Sequence, residues 1–273
     1  MSEGYELLAS KFTKIFCETV MFMLMTCRLP LAAAEAEKRV GVRVDWLELK
    51  ETLPSGHKFV KESGPRVEGY LDYSAIVWGD SEITYRGAFY GTFTRHYGDD
   101  PTHLTIPNGM EDTWSGQIGT RHSVTLWVPI VNREMHQAGP TFAVGFDAWY
   151  RPLAYYEIWQ IPSASLGIRV KSILENCPIS FDVGVRRSIN AKVRTETTHP
   201  PWNASSDTTL ALGDRNNIYV SVAMSLKMGW IIGLHYEEQK YGASAVYPLS
   251  SGIGIFQPHT TIKQIGISGN YRF

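Results

Sequence analysis

Apolar and polar side chains alternate one for one along most of this chain. From Ile83 to Thr94, one face collects Ile83, Tyr85, Gly87, Phe89, Gly91 and Phe93, and the other collects Thr84, Arg86, Ala88, Tyr90, Thr92 and Thr94. Between residues 66 and 77, Val67, Leu71, Tyr73 and Val77 oppose Glu68, Tyr70, Asp72 and Ser74. Phe142, Val144, Phe146 and Tyr150 oppose Thr141, Asp147 and Trp149. Ile218, Val220, Val222, Met224 and Leu226 oppose Tyr219, Ser221, Ser225 and Lys227. A period of two belongs to an extended strand whose two faces meet different surroundings. The pattern predicts about ten strands, at 39–52, 66–77, 82–95, 113–128, 140–151, 156–171, 178–193, 215–227, 230–243 and 259–273.

A face carrying Arg86, Asp72 or Lys227 needs water or charged partners, whereas the opposite face is apolar and edged with aromatics. That division fits a lipid-facing surface with aromatic girdles around a polar interior. The expected fold is therefore all-β: a transmembrane antiparallel up-and-down β-barrel of about ten strands, an even number as bacterial barrels require. With both termini on the inner side, the outer connections are 53–65, 96–112, 194–214 and 244–258. The inner ones are mostly short, running from Trp78 to Ser81, Pro129 to Gly139, Ser172 to Cys177, and across Met228-Gly229. Long outside and short inside is the barrel habit, broken by a short outer link near Pro152-Leu153 and a long inner link at 129–139. His122 and Arg187 fall on the apolar face of their strands, and the phase slips between Trp46 and Leu47, which reads as a β-bulge.

Composition narrows the alternatives. The 273 residues are 44% hydrophobic and 19% charged with a net charge of -1. After residue 35 no run approaches the roughly 20 apolar residues of a membrane-spanning helix, and near-neutral charge argues against nucleic acid as a partner. The first 34 residues have the parts of an export signal: Lys11 and Lys14, the apolar run Val20 to Met25, and Ala32-Ala33-Ala34 for cleavage. Glu18 and Arg28 interrupt it. The expected organisation is a signal peptide over 1–34 and a barrel over 35–273. Cys17 and Cys27 would leave with the signal, so Cys177 alone could form no intramolecular disulfide.

The interior face gathers both signs of charge: Arg43, Asp45, Glu68, Asp72, Arg86, Arg121, Asp147, Arg151, Arg169, Asp182, Arg186, Lys227, His235 and Glu237. A lumen of about ten strands is narrow enough for side chains to fill. The expected lumen network is Asp72, Arg86, Arg121, Asp147, Arg169, Asp182, Arg186 and Lys227, charges compensating one another's desolvation. An open pore selecting small ions is the functional alternative. His235 and Glu237 share a face, and Asp147 stands at a comparable outer height. Brought together at the outer mouth, they would have the makings of an acid–base site. In Arg121-His122-Ser123 the alternation puts His122 and Ser123 on opposite faces, so no catalytic pair forms there. The histidines show no metal-ligand spacing and no glycine loop cradles phosphate, so neither metal nor cofactor is expected.

The chain ends in a strand, with Ile265, Ile267, Gly269 and Tyr271 alternating against Gln264, Ser268, Asn270 and Arg272 before the terminal Phe273. This ending resembles the C-terminal signal of bacterial outer-membrane β-barrel proteins. The chain as a whole is similar to small Gram-negative outer-membrane barrel proteins in four stretches: Asp45 to Thr52, Gly145 to Arg151, Tyr236 to Gly242, and Tyr271-Arg272-Phe273. The resemblance implies a bacterial outer-membrane location, with membrane lipid, lipopolysaccharide and the barrel-assembly machinery as partners. It also makes Tyr271 and Phe273 an assembly signal, and it carries no catalytic residues to transfer. Ten-stranded omptin proteases place Asp and His groups at their outer mouth, but their motifs are absent here. The expected role is structural or small-solute transport of a porin-like kind. An outer-face hydrolase and a soluble periplasmic β-protein that binds a ligand are the rivals.

Overall fold

The computed structural model of the chain describes residues 36–99, 110–152, 156–174, 177–198, 204–249 and 254–273. The expectations for the export segment, with Cys17, Cys27 and the Ala32-Ala33-Ala34 site, lie outside these residues. The strands are β1 (Glu37–Thr52), β2 (Lys58–Trp78), β3 (Ser81–Asp99), β4 (Met110–Trp127), β5 (Val131–Arg133), β6 (His136–Pro152), β7 (Tyr156–Leu174) and β8 (Cys177–Ser188). They continue as β9 (Lys192–Thr195), β10 (Thr208–Ala211), β11 (Asn216–Ser225), β12 (Trp230–Tyr241), β13 (Tyr247–Pro248), β14 (Gly254–Ile255) and β15 (His259–Arg272). Ten of them close an antiparallel up-and-down barrel in the order β1-β2-β3-β4-β6-β7-β8-β11-β12-β15. The seam between last and first strand is fully paired, from Arg39↔Arg272 to Thr52↔His259. Closure gives each of these ten strands a partner on both sides.

The shorter strands lengthen the wall. β9 prolongs the line of β8 past a break at Ile189–Ala191 and pairs with β7, and β10 pairs with β9. Asn190 makes the break with φ 53°, a left-handed conformation that asparagine tolerates. The outer connection expected at 194–214 thus contains wall rather than only loop. At the opposite end, the terminal end, where β1 begins and β15 finishes, β5 prolongs the β4–β6 hairpin. Lys227 was expected on a strand facing the lumen. Instead β11 ends at Ser225, and Lys227 is exposed in a short 3-10 turn, Lys227–Gly229, at the terminal end.

The residues exposed on the wall are apolar. Val40, Val42, Val44 and Trp46 on β1, Leu166 and Ile168 on β7, and Ile265 and Ile267 on β15 all point outward. Outward aromatics border this band. Phe93 stacks on Trp114 at 4.6 Å on one side, and Trp230 meets Tyr271 at 5.4 Å on the other. Inside, the same strands bury Arg43, Asp45, Glu68 and Asp72. Such inside-out polarity is the architecture of a transmembrane barrel. His122 does face outward, where its Nδ1 shares a 2.9 Å hydrogen bond with the Tyr85 hydroxyl. Arg187 also faces outward, one residue before β8 ends. A cation in the outward band is therefore expected to impair insertion. Val42→Arg, flanked by Val40 and Val44, should cost about 2–4 kcal/mol, and Phe89→Arg, in the same cross-strand row through Gly69, should cost a similar amount. The folded fraction on insertion into lipid vesicles measures both, and wild-type insertion of Val42→Arg would reverse the facing of β1.

Two local expectations are corrected. No bulge interrupts Trp46-Leu47: the pairing runs on through Trp46↔Pro65 and Leu47↔Gly64, and Gly41, Arg43, Asp45, Leu47, Leu49 and Glu51 are all buried in unbroken alternation. What changes at that point is polarity. Beyond Trp46 the inward residues turn apolar, as Leu47 and Leu49, and the outward ones turn charged, as Glu48 and Lys50. β15 does the same, with Ile262 buried and Lys263 exposed. The barrel thus has a spanning part, which ends on β1 at Trp46, and a rim beyond it built like a soluble β-barrel. The second correction concerns 53–65, expected as an outer connection although it contains Gly64-Pro65 of β2. Here β2 starts at Lys58 and runs through both residues. The pairing of β2 with β3 skips 64 and 65, so the missing proline N–H is not needed there. Gly64 is required because a Cβ would strike the Phe93 carbonyl.

Candidate functional site

The lumen holds the polar chemistry of the molecule, in tiers set by position along β1 and its neighbours. Nearest the end where β1 begins, directly cross-paired residues form ion pairs. Asp72 accepts two bonds from Arg86, at 2.6 and 2.7 Å, and Asp182 accepts two from Arg169, at 3.0 and 2.7 Å. Lys171 of β7 reaches Glu82 of β3 at 2.6 Å, spanning the lumen over two intervening strands. Water reaches this tier: the Arg86 and Lys171 side chains are each 36% exposed.

The middle tier is more deeply buried, with the Arg186 side chain, at 26%, the most exposed of its ion-paired groups. Arg121 binds Asp147 on the adjacent strand at 2.8 Å and Glu237 on β12, across the barrel, at 2.9 Å. Glu237 also accepts from Arg186 and Gln239, and Asp147 accepts from the Tyr90 hydroxyl. Asp45 pairs with Arg43 and His235, and Glu68 accepts from Arg43 and Arg66. The Arg66 guanidinium lies 3.6 Å from the centroid of the Tyr90 ring. Asp45 and Glu68 side chains have no exposure at all.

The rim tier is mostly apolar. Leu47, Leu49, Val60, Trp149, Trp159, Val193, Leu210, Tyr241 and Ile262 form one cluster inside the wall. Trp159 meets Trp149 edge to face at 4.5 Å, and Tyr241 at 5.8 Å. Within this tier Arg151 serves three carboxylates: Glu51 at 2.9 Å, Glu62 at 2.9 Å and Glu157 at 3.0 Å. Glu62 also bonds His96 at 2.8 Å, Gln257 donates to Glu51, and the Trp159 indole N–H donates to Glu157. Burial and the neighbouring Glu157 and Glu62 push the Glu51 carboxyl up to about 7, against the pull of Arg151. Burial would raise Glu62 as well, but Arg151 and the His96 hydrogen bond outweigh it and hold Glu62 at about 2.

The expected lumen residues Asp72, Arg86, Arg121, Asp147, Arg169, Asp182 and Arg186 all lie within these tiers. The pairs are Asp72–Arg86, Arg169–Asp182 and Arg121–Asp147, and Arg186 reaches Glu237. Of the acid–base candidates, Asp147 and Glu237 meet through Arg121, while His235 pairs separately with Asp45. They stand in the middle tier beneath the apolar rim, not at an outer mouth. Both oxygens of Asp147 and of Glu237 are already hydrogen-bonded, so the arrangement neutralises charge rather than presenting an acid or base to a substrate. Among the described residues no group of three or more His, Cys, Asp or Glu is placed to hold a metal ion. The sequence reading missed the group around Arg151, because Glu62 fell inside an expected loop.

No family model matches the chain, and no curated protein matches it. Among solved structures it is similar to the outer membrane protease OmpT from Escherichia coli, at 8% identity and a TM-score of 0.47, covering 87% of this chain and 97% of that one. It is also similar to the β domain of the Bordetella autotransporter BrkA, at 10% identity and a TM-score of 0.43, covering 88% and 100%. The attachment invasion locus protein Ail of Yersinia pestis matches at 12% identity and a TM-score of 0.33, covering 88% and 100%.

Proposed function

We propose that this protein is a Gram-negative outer-membrane barrel with a sealed lumen, structural in role rather than an open porin-like channel. The observation that carries the reading is the burial of the middle tier: Glu68, Asp45 and Arg121 are 0%, 2% and 7% exposed although they project into the barrel's centre. In this reading the rim faces outward from the cell and the terminal end faces the periplasm. Residues 1–34 act as the export signal, Tyr271 and Phe273 address the chain to the barrel-assembly machinery, and the apolar band meets membrane lipid and lipopolysaccharide. The Phe273 N–H donates to Lys38 at 3.1 Å, so the last residue still belongs to the seam.

Planar-bilayer recording tests the seal, with wild type expected to show no steady conductance. Two variants sharpen the result. Glu237→Ala removes acceptors from Arg121 and Arg186 in the buried tier and should cost about 2–3 kcal/mol in thermal unfolding. Asp72→Ala orphans Arg86, whose guanidinium water already reaches, and should cost about 1 kcal/mol. In an open pore, water would solvate both orphaned charges. The two variants would then unfold alike and shift ion selectivity instead.

A further inference from the structure

The outward face of the rim carries its charge unevenly. On β1, Glu48 lies 2.7 Å from Lys50 and 3.7 Å from Lys61 of β2. On β12, Glu238 lies 3.2 Å from Lys240 and 3.6 Å from Lys263 of β15. These are two triads of identical make-up, each a carboxylate shared by two ammoniums with one positive charge in surplus. They adjoin, because Glu48 and Lys263 are directly cross-paired. Lys50 also stands directly opposite Lys61 across β1 and β2, a like-charge pairing that costs stability on its own. Both triads begin two residues beyond the outward apolar residues Trp46 and Ile265, where a bilayer changes from hydrocarbon to headgroup. Around the barrel, the outward positions of β6 and β7 near the same end are Tyr150, Pro152, Ile158 and Gln160, none of them charged.

We infer that the two triads form a docking surface for the phosphate groups of a membrane lipid, seated on the β12-β15-β1-β2 side of the barrel. Glu48 offsets only one of the two charges on Lys50 and Lys61, a phosphate takes up the surplus, and the ammonium is a point-charge phosphate binder. The lipid-borne source follows from position, since a headgroup rests at this height when its chains lie against Val44, Trp46 and Ile265. The inference rests on the membrane-spanning reading but not on the sealed lumen.

Native mass spectrometry of the detergent-folded protein tests it, with phosphatidic acid as phosphomonoester probe, phosphatidylcholine as neutral control and inorganic phosphate as the free-anion arm. Wild type should retain phosphatidic acid in preference to phosphatidylcholine. The variant with Lys50, Lys61, Lys240 and Lys263 all changed to Gln should lose more than roughly tenfold of that retention, whereas Lys227→Gln at the other end should lose none. If the quadruple variant does not fold, the Lys50→Gln/Lys61→Gln and Lys240→Gln/Lys263→Gln pairs are read separately, each expected to lose part of it. Equal retention of both lipids, unchanged retention in the variants, or inorganic phosphate binding without lipid preference would overturn the proposal. Steady conductance in wild type would end the sealed-lumen reading and leave this one standing.

Discussion

Arg151→Met is expected to cost about 3–5 kcal/mol at pH 8 and clearly less at pH 5. Arg151 is 1% exposed and is the shared cation of Glu51, Glu62 and Glu157. Methionine fills most of its volume but leaves three buried carboxyls with no guanidinium, and only Glu62 keeps a basic neighbour, His96. The wild type already shows the direction of this linkage. Glu51, raised from 4.5 to about 7, keeps its proton in the folded rim after the unfolded chain has lost it. Its contribution is therefore full below about 4.5 and lost as pH rises through 7. Glu62, lowered from 4.5 to about 2, works the other way: its contribution is full above about 4.5 and lost as pH falls through 2. Without Arg151 only His96 opposes the burial that raises Glu62, so the gap between variant and wild type should widen as pH rises. Thermal unfolding in detergent at pH 5 and pH 8 measures it. A gap independent of pH would mean that Arg151 acts through packing alone.

Trp159→Ala should be comparably severe, at about 3–5 kcal/mol. Trp159 is wholly buried, packs on Trp149 and Tyr241, and holds Glu157 through its indole N–H. Truncation opens a cavity in the apolar rim and removes a donor from a carboxylate that Arg151 must then satisfy alone. The damage should stay in the rim, because the spanning part is held by the apolar band and the tiers below. Limited proteolysis should cut the variant near β9 and β10 while the spanning strands stay protected. Wild-type resistance in the rim would show that the apolar cluster does not hold it closed.

The strands were legible in the sequence where one face meets lipid and the other meets charge, since strand geometry and environment then repeat together. β6, β7, β12 and β15 begin or end within a few residues of the expected bounds. Legibility failed where the surroundings changed and the geometry did not. At Trp46-Leu47 the chain keeps its alternation while the polar side moves from inside to outside, and polarity alone cannot separate that from an extra residue. The supposed bulge also hid Glu51 as a companion of Arg43 and Asp45 on the inward face. The start of β2 went unread because what fixes Gly64 is non-local: the close passage of the Phe93 carbonyl, a neighbour by pairing rather than by sequence pattern. Pairs such as Arg121–Glu237 lie across the lumen from each other, and nothing in either strand announces which distant charge it will meet.

The outward change of polarity along β1 and β15 also fixes how deep the molecule can ride. A wall apolar from end to end could bob in a bilayer at little cost. Here a descent of two residues would carry Glu48 and Lys263 into hydrocarbon, and an equal ascent would lift Trp46 and Ile265 into water. Val40 to Trp46 covers seven residues of β1, or about 20 Å along the strand. The protein therefore has a waterline, drawn in side chains and held by a rigid hull. Where the surrounding bilayer is thicker than that line permits, the lipid must thin to meet the wall.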